Sequence, residues 1–379
     1  MVRMTSYYVF ETLTGKILTE FEPEQASWSM RANEAETVSV TLDLSDPANR
    51  ALDWRNLATP WKHCIAIEEH GRFLGGPILP HDWDEDDHRL KLSVRGIRVL
   101  LGRRTVLPAR ALTASLVTPA GIPDTSLDTT ISGVDLGTVG KRLIQQAMSW
   151  PGFELPIVFH EDRPGSITRS YAAVDLSKVD AALADLSDEE NGPDIRLQLR
   201  RGDKRDLEWV YESGTAAEPR LQSPSVHTWE LQADEAAGSG VSVTTDPTEM
   251  ASISWATAGR SSDRVLVSRY FDRRLVDAGF PLMEAVDSSN SSVSEQTVLD
   301  GLAAERARTS LKPSEFWSFR VRLDASPFLI EYNVGDLVRV VVRNSDYVPV
   351  GEFTRRIAGL SGDEQGDWIK VTCGEVYDG

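Results

Sequence analysis

The chain has 379 residues, of which 41% are hydrophobic and 26% are charged, and its formal net charge is −18. This length predicts two or three globular domains, and the apolar content excludes a wholly disordered chain. The acidic excess disfavours nucleic-acid binding through phosphates, which needs clustered Lys and Arg. No leader-like segment opens the sequence, and no apolar run reaches the roughly 18 residues that span a bilayer, so no membrane insertion is expected.

Residues 1–104 have the patterns of β-strands and predict a first barrel-like domain. Gly-containing turns at Thr14-Gly15 and His70-Gly71 are typical of hairpins. Apolar residues alternate with polar ones along several stretches, as in half-buried strands. The alternating residues are Tyr7 and Val9, Val38 to Leu44, Ile65 and Ile67, and Leu90 to Val94.

Residues 105–226 predict an α/β insert domain. Thr138 to Trp150 places apolar residues at helical spacing, and Pro151-Gly152 ends that helix. A second helix is predicted to start near Ser177 and to stop at Asn191-Gly192-Pro193. A hairpin follows, with alternating residues from Ile195 to Tyr211.

The remaining residues predict a second barrel-like domain, formed by residues 227–262 and 311–379, and a helical connecting segment at residues 263–310. Residues 214–240 are rich in small and polar residues and are expected to run over the surface. A helix at 295–309 is announced by the capping-box spacing of Ser292 and Glu295. The last 65 residues alternate as strands at Trp317 to Leu323, Val338 to Val342 and Ile369 to Cys373.

Two parts of the sequence echo each other. Near residue 65 and again near residue 338, an alternating strand leads to a turn, a Gly-containing strand, an acidic turn and a further alternating strand. The acidic turns are Asp82 to Asp87 and Asp363-Glu364, and the register between the two copies slips by about one residue. Either a duplication or the common grammar of hairpins explains this similarity.

No catalytic, cofactor-binding or metal-binding residues are predicted. His160-Glu161 starts like a zinc-protease motif, but Arg163-Pro164 follows and the second His is missing. The stretch His81-Asp82-Trp83-Asp84-Glu85-Asp86-Asp87-His88 could hold a divalent cation, although a solvated hairpin turn is the better interpretation. Nucleophile elbows, phosphate-binding loops and dinucleotide fingerprints do not occur, and Gly238-Ser239-Gly240 reads as a linker.

Several other side chains are assigned structural roles. Cys64 and Cys373 are expected to be buried, reduced thiols, although a long-range disulfide stays open. Arg103-Arg104 and Arg273-Arg274 could contact nucleic acid, but salt bridges within this acidic protein or with its neighbours are the better interpretation. Five tryptophans in strand-like patterns are expected to anchor the core or an interface, namely Trp28, Trp209, Trp255, Trp317 and Trp368.

Three groups of segments resemble the hub proteins of long-tailed phages, the family of baseplate-hub and tail-associated minor tail proteins. The resemblance lies in the order of short motifs over most of the chain. The first group is Glu11 to Leu18 with Ser27-Trp28-Ser29, and the second is Gly75-Gly76-Pro77-Ile78, Leu92 to Gly96 and Arg103-Arg104. The third is Phe280 to Glu284, Val298 to Arg306, Trp317 to Leu323, Tyr332 to Val340 and Arg356 to Leu360.

The resemblance implies a mainly β fold with inserted α/β elements, in which two antiparallel β-barrel-like hub domains carry insert domains. It implies a non-enzymatic virion protein, made in the bacterial cytoplasm, that forms a homotrimer at the tail tip. Its expected partners are the distal tail protein or tail tube, the tape-measure protein, and tail fibres or receptor-binding proteins. DNA would pass through the lumen without specific binding, and weak stability of the isolated monomer is expected.

Two alternatives stay open at this stage. One is a cell-wall hydrolase with its site in the insert, and the other is a carbohydrate-binding tail module that uses exposed tryptophans. No cofactor is expected for the chain. The acidic charge suggests a negative bore that repels DNA phosphates, a hypothesis that rests on the net charge of −18.

Overall fold

The computed structural model describes residues 5–189, 191–232, 237–258, 265–290, 296–363 and 366–376. The protein is mostly β, and α/β elements are inserted between its strands, as predicted. The chain forms two compact units. Unit 1 is Met1–Gly240 with Phe319–Cys373, and unit 2 is Val241–Ser318 with Gly374–Gly379.

The first section is built from strands, as its alternation predicts. Gly15 closes the first hairpin at φ +73°, where an added Cβ would lie 1.9 Å from the Leu207 carbonyl oxygen. Cys64 to Ile67 are buried on both faces of their strand, because one face packs against the insert. The strands are β1 Thr5–Glu11, β2 Ile17–Phe21, β3 Gln25–Arg31, β4 Thr37–Asp43, β5 His63–Glu69, β6 Arg72–Asp84 and β7 Arg89–Arg95, and the short helices are α1 Pro47–Arg50, α2 Trp54–Leu57 and α3 Arg98–Leu101.

The insert contains the two predicted helices and the predicted hairpin. The first of these helices begins where the Asp135 carboxylate accepts from the Thr138 amide at 2.7 Å. Its predicted apolar face is buried, with Val139 and Leu143 at its centre. The elements are β8 Thr129–Val134, α4 Leu136–Met148, β9 Ile157–Val158, β10 Ile167–Tyr171, α5 Val179–Asp188, β11 Ile195–Arg201 and β12 Leu207–Ser213, with 3₁₀ turns at Ala109–Leu112, Thr125–Leu127 and Ala173–Asp175.

The last section returns to strands. They are β13 His227–Glu230, β14 Gly238–Asp246, β15 Ile253–Ala258, β16 Val267–Phe271, β17 Glu284–Asn290, β18 Ser314–Arg322, β19 Leu337–Val342, β20 Gly351–Asp363 and β21 Trp368–Glu375, and the helices are α6 Arg274–Asp277 and α7 Gln296–Thr309. The predicted apolar faces of β18, β19 and β21 are buried. The capping box at Ser292 and Glu295 and the acidic position Glu364 lie outside the described residues.

Two predictions for this section need correction. The surface run 214–240 contains β13, whose Trp229 is 1% exposed because β13 pairs in parallel with β19. The helical connecting segment 263–310 also holds β16 and β17. Apolar residues do not alternate with polar ones along these two strands, because many of their described side chains, such as Val267 and Val286, are exposed to solvent.

Unit 2 has its own small core. Strand β15 lies between β16, which is antiparallel to it, and β17, which is parallel to it. Ala256, Leu266 and the α7 residues Leu299 and Ala303 are buried together. Helix α7 therefore covers this three-stranded sheet.

The main sheet joins both predicted barrel-like groups. Its order is β14-β18-β21-β20-β3-β4-β7-β6-β5-β1-β2, with β19 pairing β20 and β13 pairing β19. The two groups are thus continuous through the pair β20–β3, rather than separate. Within the predicted antiparallel groups β13 and β19 are an exception, because they pair in parallel.

Six strands occur twice in this sheet in the same order. The first strand set is β3-β4-β7-β6-β5-β1, and the second strand set is β14-β18-β21-β20-β19-β13. The middle strands β6 and β20 have 13 residues each. The Leu44 amide donates to the His88 carbonyl at 2.8 Å, and the Leu323 amide donates to the Asp367 carbonyl at the same distance. The repeat therefore extends well beyond the hairpins that the sequence echo marked.

Candidate functional site

The strand pair β20–β3 is where the two strand sets meet. Gly359–Asp363 of β20 pairs antiparallel with Ser27–Arg31 of β3. Leu360 and Trp28 are 2% and 4% exposed, so this contact is part of the core. An added Cβ on Gly362 would lie 2.9 Å from three atoms of the Trp28 indole. Because Gly362 has no side chain, there is room for the Trp28 ring beside it.

We expect Gly362→Ala to lower the free energy of unfolding by about 2 kcal/mol, because overpacking a filled core forces the ring or the backbone to move. Urea unfolding followed by tryptophan fluorescence measures this. The matched control is Gly301→Ala in α7, where an added Cβ meets nothing within 4 Å. The control should leave stability equal or slightly higher, and equal loss in both variants would contradict the packing argument.

A buried arginine ties β6 to the loop between β18 and β19. Arg72 is 7% exposed, and its guanidinium donates to the Leu329 carbonyl at 2.8 Å and to the Asn333 side-chain oxygen at 2.8 Å. It also donates to the Tyr332 carbonyl. Burial, with the nearby Arg196 charge, lowers the pKa of Arg72 to about 10. Its cation is therefore held by carbonyl dipoles, in a network whose partners lie more than 250 positions away in sequence.

A buried carboxylate links the insert to both strand sets. Asp194 accepts from the Leu221 amide at 3.0 Å and from Arg220 and the Asn33 amide group at 3.3 Å. It also accepts from Arg356 of β20. Arg356 in turn donates to the Gly335 carbonyl at 3.0 Å. Asp194 and Arg72 thus fix three sequence-distant parts of unit 1 in one arrangement.

Glu36 lies in the loop between β3 and β4 and faces the insert. It is 7% exposed, and its carboxyl approaches Gly96, where an added Cβ would lie 2.0 Å from the Glu36 Oε2 atom. Burial raises the pKa of Glu36 to about 7, although Arg196 and Arg72 oppose that rise. Glu36, Arg72 and Asp194 could not be singled out from the sequence, because isolated charges at strand ends and in loops carry no local pattern.

The acidic stretch 81–88 forms a hairpin turn. The Asp84 carboxylate accepts from the Asp86 amide at 2.9 Å and from the Asp87 amide at 3.2 Å, which closes the turn. The indole of Trp83 donates to Glu85 at 2.8 Å. Among the described residues, no group of three or more His, Cys, Asp or Glu side chains is arranged to hold a metal ion.

A cleft of about 810 Å³ in unit 1 contains His160. Its Nε2 atom lies 3.2 Å from the Ser213 hydroxyl, and its Nδ1 atom lies 2.5 Å from the Glu161 carbonyl. Arg163 donates to the Ser213 hydroxyl at 2.7 Å and to the Gly214 carbonyl at 2.8 Å. These contacts bind the end of β12 to the 160–165 loop, and Ser213 is 7% exposed.

The arginine pairs behave differently from each other. Arg273 and Arg274 form the predicted salt bridges, to Asp277 at 3.1 Å and to Asp272 at 2.7 Å. Among the described residues the other pair forms ring contacts instead: Arg103 stacks on the Trp61 ring, and Arg104 stacks on the rings of Trp150 and Phe153. A salt bridge between this pair and a neighbouring protein stays a prediction. Flat guanidinium groups stack on aromatic faces as readily as they pair with acids.

The predicted core tryptophans and cysteines are mostly buried. Trp28, Trp209 and Trp317 are buried, whereas Trp255 and Trp368 are half-buried. Cys64 and Cys373 are buried and free, as expected, and burial raises the pKa of both thiols. No helix among the described residues is long and apolar enough to cross a membrane.

Among the described strands, the second half of β6 and the terminal strand β14 each leave one edge of the main sheet unpaired. Strand β6 continues past its pairing with β5 at Arg72–Pro77, and His81–Asp84 pairs with β7 alone among the described strands. Trp83 on this edge is 43% exposed. Strand β14 stands at the end of the sheet order, and most of its side chains are exposed or half-buried. Open edges of this kind are ready to pair with another strand.

Solved structures of phage tail proteins match the chain over nearly its whole length. The 43 kDa tail protein of prophage MuSo2 from Shewanella oneidensis is 12% identical, with a TM-score of 0.55 and coverage of 98% of each chain. A tail protein from Neisseria meningitidis MC58 is 13% identical, with a TM-score of 0.56 and coverage of 97% of this chain and 96% of that one. A chain of the Francisella PdpA–VgrG complex is 10% identical, with a TM-score of 0.52 and coverage of 98% and 57%.

No protein-family profile and no curated protein sequence matches the chain. At these low identities the structural matches establish the fold. The chain has the fold of these phage tail proteins, as the sequence motifs predicted.

Proposed function

We propose that the chain is a structural, non-enzymatic subunit of a phage tail, and that it forms the hub at the tail tip in the virion. The observation that carries this proposal is the end-to-end match to tail proteins, covering 98% of both chains in one case. The cluster around Arg72 and Asp194 supports it, because it makes unit 1 a firmly connected body suited to bearing load.

The repeated strand set suggests how such a hub fits a tail. Each chain carries two sets of six strands in the same order. A homotrimer would therefore present six similar sets to a six-fold tail tube or distal tail ring. In this arrangement the hub joins that ring to fibres or receptor-binding proteins, and the tape-measure protein and DNA pass through a central channel. The predicted division into two barrel-like domains, an insert domain and a connecting segment belongs to the same proposal.

Acidic side chains along the channel would repel DNA phosphates and prevent the DNA from binding to the channel wall. The net charge of −18 supports this part of the proposal. The contacts of His160 and Ser213 hold the end of β12 to the 160–165 loop, and this structural role favours a tail subunit over a hydrolase.

The test is the mass of the purified protein by light scattering, followed by negative-stain imaging. We expect a mass three times the 41.9 kDa of one chain and a ring with a central hole. The reason is that each copy carries exposed sheet edges that a neighbour can cover. A compact monomer at high concentration, together with no labelling of tail tips by an antibody against the chain, would contradict the hub role.

A further inference from the structure

The contact between the two strand sets inside one chain is a template for a contact between chains. In the second strand set, β20 pairs first with β19 at Gly351–Arg356, and its remaining residues Gly359–Asp363 pair with β3. Strand β3 is the outermost strand of the first set. The second half of β20, the middle strand of the second set, therefore binds β3 at the end of the first set.

The first strand set offers the same half-strand without an occupant among the described residues. Strand β6 pairs with β5 at Arg72–Pro77, in the register that β20 uses with β19. On that spacing, Pro80–Asp84 corresponds to Gly359–Asp363. His81 and Trp83 then stand where Leu360 and Gly362 stand in β20.

The exposure of these positions differs sharply. Leu360 is 2% exposed under β3, whereas His81 is exposed and Trp83 is 43% exposed. Trp83 takes the position of Gly362, but no strand among the described residues packs beside it as β3 packs beside Gly362. The second half of β6 is thus exposed at the place where the second half of β20 is covered by β3.

The outermost strand of the second set is β14, the counterpart of β3. It occupies the end of the sheet order, next to β18, as β3 lies next to β4. Val241 and Val243 are half-buried, while their counterparts on β3 include the buried Trp28 and Met30. Among the described strands β14 pairs with β18 alone, so its other edge is open to a partner there, and its apolar face is only partly covered.

We propose that β14 of one copy of this chain pairs antiparallel with the His81–Asp84 half of β6 in the next copy. This rests on the proposed function, and it names the surfaces that join the subunits. Each copy has one β6 edge and one β14 edge, so the contact is head-to-tail and repeats until the ring closes.

Charge and backbone chemistry favour this partner. The β6 edge carries Asp82 and Asp84, and β14 carries no charged residue before Asp246. Ser and Thr hydroxyls of β14 can donate to those carboxylates. Strand β2, at the other end of the sheet, carries the exposed Glu20 and would repel the same edge. Pro80 has no amide hydrogen, which confines the pairing to the residues after it.

Cysteine cross-linking tests the pairing. In the template, Ser361 of β20 lies opposite Ser29 of β3, so Asp82 should lie opposite an outward-facing residue of β14, either Ser242 or Thr244. We would oxidise Asp82→Cys combined with Ser242→Cys, and separately with Thr244→Cys, because paired strands place Cα atoms roughly 4.4–6.8 Å apart, within disulfide reach. Cys64 and Cys373 stay unreactive because both are buried.

We expect one of the two double variants to shift from single chains to disulfide-linked multimers on a non-reducing gel. Mixing the two corresponding single variants should give linked pairs only. The control replaces Asp82→Cys by Glu20→Cys, on the other terminal strand of the sheet, and should give no linked species.

The outcomes separate this inference from the proposed function. If light scattering shows the oligomer but neither double variant links, the strand pairing is wrong and the hub role stands. Equal linking by the Glu20→Cys control would also overturn the pairing, because it would show unspecific edge contact. A protein that is monomeric and unlinked at every concentration overturns the pairing, and antibody labelling of tails then decides the hub role.

Discussion

Arg72→Ala is expected to lower the free energy of unfolding by about 4 kcal/mol, because charged hydrogen bonds contribute about 1.5–3 kcal/mol each and their buried partners are left unpaired. Three acceptors lose their donor, namely the carbonyls of Leu329 and Tyr332 and the side chain of Asn333. The guanidinium is buried, so water does not replace it. Urea unfolding followed by tryptophan fluorescence measures the loss.

The control for this prediction is Arg89→Ala. Arg89 binds Glu24 at the surface, where both partners are partly exposed, and solvent replaces such contacts at little cost. Its unfolding curve should lie close to that of the unchanged protein. If both variants unfold at the same urea concentration, Arg72 does not hold the strand sets together.

The strand content of unit 1 could be predicted from the sequence because its apolar side chains alternate. Val38, Val40 and Leu42 face the core, and so do Phe319 and Val321. Strands β16 and β17 could not be predicted in this way. Their side chains are largely exposed, so burial imposes no alternation on the sequence.

The internal repeat was visible in part from the sequence, with a slip of about one residue between its two copies. The first two strands of the repeat are joined by the two-residue turn His70-Gly71 in one set and by residues 343–350 in the other. This difference shifts β5 relative to β19. Beyond it, β6 and β20 have equal lengths, and β7 and β21 follow them at equal spacing. The two copies therefore differ by a loop of eight residues against one of two, while their later strands keep equal lengths and spacing.

The buried polar cluster around Arg72 and Asp194 could not be predicted from the sequence at all. Asp194 comes just before the predicted hairpin strand and looks like an ordinary surface acid. Its partner Arg356 lies 162 positions away, and Arg72 is 257 positions from Leu329. Contacts over such separations are specified by the tertiary fold, and no local spacing announces them.

Glu36→Gln is expected to raise the free energy of unfolding at pH 8 by about 3 kcal/mol, since each pH unit of pKa difference corresponds to about 1.4 kcal/mol. The pKa of Glu36 is about 7 in the folded protein, compared with an ordinary value of 4.5. Between these values the unfolded chain has released this proton and the folded chain keeps it. Stability therefore falls as pH rises from about 4.5 to 7, and the full penalty is present above 7.

The amide of Gln carries no charge at any of these pH values, so the variant removes the penalty and keeps the side-chain size. Urea unfolding at pH 5 and pH 8 should show a gain for Glu36→Gln that is small at pH 5 and large at pH 8. The matched control is Glu34→Gln in the same loop, whose side chain is exposed and which should behave alike at both pH values. A gain of equal size at pH 5 and pH 8 would mean that shape, and not the buried charge, sets the stability of this loop against the insert.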